Sequence, residues 1–312
     1  MNALLTIMVS DIFLIAIIFS ICDRKKYDKI NINNELKFSR RRKMLYDIRT
    51  SEKAATTLES LTGVNREIWL AEQYKNQGRI DYTYADDDVK KIIINHRGHY
   101  PDINELEMVV THITTSSEKC SHICQQGIVD LVKAYEFPNS ELRQFLKRHE
   151  INIDIEECCL TYKKRSYDIS YGKCPPYYDS EAHAAWPIGR KFYYDFTVCG
   201  FLSISEKDVY GGCVHCRPEI LSDIDTLLGT RLSDEWEASK ESYAIVFKVP
   251  VSDTIYNGWD SDTESEMVKS YLYDAYMCIS TGPDTKEILC KNGVEISPNQ
   301  ILECYRFQEW DR

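Results

Sequence analysis

Three short stretches carry the side chains best suited to chemistry. The first, Val109-Val110-Thr111-His112-Ile113-Thr114-Thr115, is a β-branched run leading to a helical pattern from about residue 117 to Gly127. It predicts a strand that delivers a histidine and a threonine to a helix mouth, where backbone N–H groups can hold a phosphate or an amide. The second is Gly200-Phe201-Leu202-Ser203, followed seven residues later by Tyr210. The third is Glu287-Ile288-Leu289-Cys290, with Glu295 and Glu303 as later carboxylates. Neutral imidazole donates through one ring nitrogen and accepts through the other. Each residue also has a plain reading: a strand-end histidine, a helix-capping Thr114, a helix-closing Gly127, one tyrosine among 21 and a carboxylate at a strand start.

Other chemistries are poorly served. Cys213-Val214-His215-Cys216 is half of a zinc site and needs a second ligand pair. Cys120, Cys124, Cys158, Cys159, Cys174 and Cys199 offer no standard spacing, so no metal site is assigned. The 12 cysteines are irregularly spaced and the chain has no Asn-X-Ser/Thr sequon, which reads as reduced thiols in the cytosol. No Gly-X-Ser-X-Gly elbow, Walker A loop or Gly-X-Gly-X-X-Gly turn is present. The net charge of -11 makes a nucleic-acid partner less favoured than a protein or small-molecule one.

The elements that must position these residues follow from periodicity and punctuation. Residues 45–77 have a broken helical face, and Asp86-Asp87-Asp88 reads as the cap region of a helix over 89–94. Arg97-Gly98-His99-Tyr100-Pro101 is a turn, and a domain boundary is expected near 100. Beyond it the pattern predicts a strand at 107–113, the helix to Gly127, and a helix over 141–149 capped from Pro138-Asn139-Ser140. Strand-like composition covers 151–170. A loop runs from Gly172 to Pro187, and Trp186-Pro187-Ile188-Gly189-Arg190 is also expected as loop. Sheet is expected over 192–205. Tyr243 to Val251 is the clearest core strand, apolar enough for burial on both faces. Residues 271–279 are ambiguous between helix and strand, and two strands close the chain around Asn292-Gly293 and Pro298-Asn299. Helices early and strands late make an α+β pattern.

The N-terminus bears on localisation. Ala3 to Cys22 is apolar except for Thr6, Ser10, Asp11 and Ser20, long enough to span a bilayer core of about 30 Å. Arg24, Lys25, Lys26 and then Arg40 to Lys43 follow, which puts that side in the cytoplasm. The expectation is a single-pass membrane anchor over residues 1–22, a basic linker and helical region over 23–100, and a cytoplasmic domain over 101–312. A buried helix in a cytoplasmic protein is the other reading of the apolar run.

Taken in chain order, the three stretches resemble the ADP-ribosyltransferase superfamily, in its histidine–tyrosine–glutamate branch. That branch includes the poly(ADP-ribose) polymerase catalytic domains and the diphtheria-type bacterial toxins. The resemblance covers about 105–312. It rests on His112-Ile113-Thr114 before a helix ending in Gly127-Ile128, on Gly200-Phe201-Leu202 followed by Tyr210, and on Glu287-Ile288-Leu289. It implies a split, mixed antiparallel sheet and NAD as substrate, with ADP-ribose passed to an unidentified protein or small-molecule acceptor, or to water. By the same resemblance His112 would bond the adenine-side ribose and the Ile113 backbone would clamp the nicotinamide amide. Thr114 and Ser203 would add hydroxyl contacts, and Tyr210 would stack on the nicotinamide ring. Glu287, preferred over Glu303 and Glu295, would stabilise the cationic sugar as nicotinamide leaves. Two positions depart from the pattern: Ile113 replaces its glycine and Leu202 its tyrosine. The same fold could instead serve as a non-catalytic binding module for ADP-ribose or a partner. A membrane-tethered interaction domain unrelated to NAD is the third reading.

Overall fold

Local signals set the elements before packing selects among them. In the computed structural model, which describes residues 43–76, 85–175, 177, 180–205, 213–256 and 263–308, a short strand β1 (Met44–Tyr46) leads into helix α1 (Ser51–Thr62). Thr50 caps α1 by accepting from the Lys53 N–H, Gly63 closes it in the left-handed region, and Ala54, Ala55, Leu58 and Leu61 form its buried face. Helices α2 (Arg66–Asn76) and α3 (Ala85–Asn95) follow. The long strand β2 (Leu106–Ser116) comes next, rich in the β-branched residues that favour a pleated surface.

Three short helices, α4 (Ser121–Gln126), α5 (Leu131–Glu136) and α6 (Glu141–Arg148), precede a meander of β3 (Ile151–Asp154), β4 (Cys159–Tyr162) and β5 (Arg165–Asp168). Helix α7 (Glu181–Tyr193), strand β6 (Cys199–Ser203), helices α8 (Glu219–Leu228) and α9 (Leu232–Ser239), and strand β7 (Glu241–Pro250) continue the chain. Strand β8 (Thr254–Tyr256), helix α10 (Glu264–Thr281), β9 (Lys286–Cys290) and β10 (Ile301–Arg306) complete it.

Among the described residues the main sheet has seven strands, in the order β10-β7-β2-β6-β9-β8, with β1 added in parallel beside the start of β2. Every other pairing is antiparallel, so the α+β class holds. One face carries Met108, Val110, Ile245, Phe247, Leu202 and Ile288 and packs on α1, α2, α3 and α10. A second core gathers α5 to α9 around β3, β4 and β5, with Phe145, Phe192, Leu221 and Trp236 at its centre. Met44–Arg312 is one compact unit, and residue 100 falls inside it. No helix among the described residues is long and apolar enough to cross a membrane. The apolar segment 3–22 and most of the basic linker lie outside the described residues.

Several local expectations change. Trp186 to Arg190 is helix, not loop: Ser180 caps α7 three residues before His183, and Pro187 sits inside it at the loss of one backbone bond. Gly189 fits there because a Cβ would stand 2.1 Å from the carbonyl oxygen of Ile169. The sheet expected over 192–205 shrinks to β6, with Phe192 in the last turn of α7. The ambiguous 271–279 belongs to the 18-residue α10.

Candidate functional site

The site is made by an interruption in the sheet. Strand β2 pairs with β7 without a break from Glu107 to Ser116. On its other edge it meets β1 at residues 106–108 and β6 only at Thr111, opposite Phe201. From His112 to Ser116 that second edge pairs with no strand among the described residues. Gly200 permits the close approach of β6 to β2, since a Cβ there would lie 2.5 Å from Val110 Cγ1 and 2.9 Å from the Thr111 carbonyl oxygen.

Two adjoining cavities occupy the gap. One, about 290 Å³, is lined by His112, Ile113, Cys199, Phe201, Glu219 and Glu287 among others. The other, about 380 Å³, runs along residues 112–116 and is walled by His122, Ile123, Phe137, Leu142, Arg217 and Trp236. His112, Ile113, Ile128, Val129, Thr197, Val214 and Glu219 border both, so the two form one cleft.

His112 lies within β2 rather than at a helix mouth. The strand continues to Ser116, and the next helix, α4, has only six residues and starts at Ser121. The half-buried imidazole bonds through Nδ1 to the Cys199 carbonyl oxygen at 2.8 Å. A carbonyl only accepts, so Nδ1 carries the proton and Nε2 keeps a lone pair. Desolvation pushes its pKa below the ordinary 6.5, against the opposing pull of the Cys199 carbonyl, so the ring is neutral at pH 7.

Glu287 is exposed near the start of β9, opposite Phe201 in the β6–β9 register. That register puts Thr111, Phe201 and Glu287 in one row on one face of the sheet. His112, one residue on from Thr111, belongs to the other face. Both nevertheless border the same cavity. His112 and Glu287 thus border one cavity from opposite faces of the sheet.

The remaining candidates divide. Ile113 is buried with Phe201, Ala244 and Phe307, and its backbone lies on the unpaired edge of β2. Thr114 lines the larger cavity and caps no helix. The groups at the strand end are held by Ser116, whose hydroxyl donates to Glu141 at 2.6 Å and accepts from the N–H groups of Glu118 and Cys120. Ser203 is buried and donates to the Asp284 carbonyl oxygen at 2.5 Å, outside both cavities. Leu202 is wholly buried in the main core. Tyr210 lies outside the described residues. Glu303 is on the edge strand β10, 3.4 Å from Arg49, and Glu295 pairs with Lys133 at 2.5 Å; neither borders the cleft.

Gly127 shapes the cleft wall. At φ +96° its Cβ would lie 2.0 Å from the Ile296 carbonyl oxygen, and Ile128 bridges Ile296 next to it. Five cleft residues escaped the sequence reading: Glu219, Arg217, His122, Glu141 and Trp236. Glu219 and Glu141 each begin a helix, where an acidic residue is ordinary, so nothing local marks them.

The thiol of Cys199 records how the carboxylates converge. Desolvation of its sulfur raises its pKa, and Asp195, Glu219 and Glu287 raise it further, against a hydrogen bond from Thr197. No disulfide joins the 11 cysteines of the described residues, and among those residues no cluster of His, Cys, Asp or Glu is arranged to hold a metal. Comparison with known proteins finds no matching family model, no similar curated protein and no similar solved structure.

Proposed function

We propose that the protein is an NAD-dependent ADP-ribosyltransferase that cleaves NAD at the nicotinamide ribose and passes ADP-ribose to an acceptor. The observation that carries this reading is that His112 and Glu287, far apart in sequence and chosen from it, border one cavity beside an unpaired strand edge. In this reading the free backbone groups near Ile113 hold the carboxamide of nicotinamide as a further strand would be held. Nε2 of neutral His112 accepts from a ribose hydroxyl. Glu287 faces the sugar carbon as the bond to nicotinamide breaks, where a carboxylate is worth most in the transition state. The adjoining 380 Å³ compartment, with Phe137, His122 and Trp236 in its walls, suits the remainder of a dinucleotide.

Glu287→Gln should lower nicotinamide release by about 10²-fold or more while leaving NAD binding in place. Thermal shift with NAD and release of labelled nicotinamide, measured on wild type and variant, test both parts. A wild-type protein that NAD does not stabilise removes the reading, since ligand at about 100 times its Kd adds about 2.7 kcal/mol.

A non-catalytic ADP-ribose-binding module is the second reading. What favours it is that Leu202, at the position of the family's tyrosine, is buried away from the cleft. NAD binding without turnover would select it. We also infer that residues 3–22 anchor the chain in a membrane with the rest in the cytoplasm, on the strength of their apolar run and the basic residues after it.

A further inference from the structure

We propose that Glu219 is a second catalytic carboxylate, the base that takes the proton from the acceptor as its oxygen joins the ribose carbon. This rests on the NAD reading and deepens it, because it concerns the group that receives ADP-ribose.

The argument starts from placement. Glu219 opens α8, directly after Pro218, and borders both compartments of the cleft, whereas Glu287 borders only the smaller one. The two carboxylates reach the smaller cavity from different elements, α8 and β9, with Cys199 of β6 near both. Lys191 of α7 holds Glu219 through Oε2 at 2.7 Å. A carboxylate has two oxygens and about four lone-pair directions, so this bond orients the group and leaves Oε1 to act. The side chain is 56% exposed, which leaves room for a solvent or acceptor molecule beside it.

The charged and titratable groups around it are Lys191 of α7, Asp195 after α7, Asp223 of α8, Cys199 of β6, Glu287 of β9, His112 of β2 and Arg217 before α8. Asp195 accepts from the Thr197 hydroxyl at 2.6 Å, and neither it nor Asp223 borders the cleft. Of these, His112 is neutral with its proton on Nδ1 and engaged by Cys199. Arg217 carries no lone pair, and Lys191 is committed to Glu219 and Asp223. Two carboxylates flanking one sugar bond is the division of labour by which glycosides are cleaved, one acting on the sugar cation and the other on the incoming oxygen.

With water as acceptor the step balances without a further reagent. The C1′–N bond to nicotinamide breaks, and its electron pair stays on the ring nitrogen and neutralises the pyridinium. The water oxygen forms the new bond to C1′ and its proton passes to Glu219. The proton then leaves to solvent.

The test compares Glu219→Gln with Glu287→Gln in the full chain, with NAD as substrate and with sodium azide as an acceptor that has no proton to lose. In Glu219→Gln, hydrolysis should fall by about 10²-fold, and azide should restore nicotinamide release with ADP-ribosyl azide as product. In Glu287→Gln, azide should restore nothing. The glutamine keeps an oxygen for Lys191, so a loss that azide rescues is not a folding defect. If Glu219→Gln hydrolyses NAD at the wild-type rate while Glu287→Gln is inactive, Glu219 is not the base and the NAD reading stands alone. If azide fails to rescue Glu219→Gln, the role is likewise overturned. A wild-type protein that neither binds nor cleaves NAD removes both.

Discussion

His112 shows how one residue can be legible by type and illegible by setting. Histidine is scarce here, with 7 in 312 residues, so a histidine in a β-branched run stands out. Its hydrogen bond to Cys199, 87 residues away in sequence, has no sequence signal, because it depends on how β6 is set against β2. Hydroxyl residues were harder still: Ser203 and Thr114 have the same chemistry, yet one is spent on Asp284 and the other lines the cleft. The depressed pKa of His112 has a definite sign. Below the ordinary value of 6.5 the unfolded chain binds a proton that the folded one resists, so this residue lowers stability as pH falls through that region. His112→Asn keeps an amide donor near Nδ1 and removes Nε2. It should fold with a Tm within about 4 °C of wild type, and under the proposed NAD reading it should show none of the thermal stabilisation that NAD is expected to give the wild type. A variant still stabilised to the wild-type extent would take Nε2 out of the binding site.

The end of β2 is held by a junction that joins three elements. Glu141, the first residue of α6, accepts from Ser116, from the N–H and hydroxyl of Ser117, and from Lys240, which links α9 to β7. Burial opposes its ionisation, but these donors together bring the carboxyl below its ordinary 4.5. A depressed carboxyl contributes stability that is present above its unfolded pKa and lost as pH falls through the folded one. Glu141→Gln should therefore cost about 2 kcal/mol at pH 7, where a charge-assisted network is broken and Lys240 is left 7% exposed without its counter-charge. The difference between the two proteins should shrink as pH drops below 4.5, in urea unfolding followed across that range. The helix cap at Ser140 was legible because capping is a local rule, whereas the junction spans residues 116 to 240 and was not. The helix over 186–190 was missed for the opposite reason: Pro187 and Gly189 are local breakers that the tertiary setting accommodates.

At the scale of the whole molecule, the boundary read near residue 100 marks a turn and not a division of the core. The His99 N–H bonds the Thr62 carbonyl, and Gly98 packs so closely that a Cβ would meet Val64 at 2.6 Å. Leu58, Leu61 and Trp69 before the turn share a core with Met108, Tyr271, Leu272 and Tyr276 after it. Turn residues report the direction of the backbone; they say nothing about which apolar faces meet. A 101–312 fragment should accordingly lack a cooperative urea transition and near-ultraviolet circular dichroism, while 44–312 retains both. A sharp transition in the shorter fragment would restore the two-domain reading. The α+β class and the strand at 243–251 were legible because apolar patterning is dense there; the sheet order was not, because strands distant in sequence become neighbours.

The unequal edges of β2 also bear on where the sheet should yield first. One edge is fastened along its length to β7, while the other shares a single paired position with β6. Fewer backbone bonds therefore cross the β2–β6 seam than the β2–β7 seam, and local opening follows the weaker ladder. Amide hydrogen exchange should accordingly be faster along β6 than along β7.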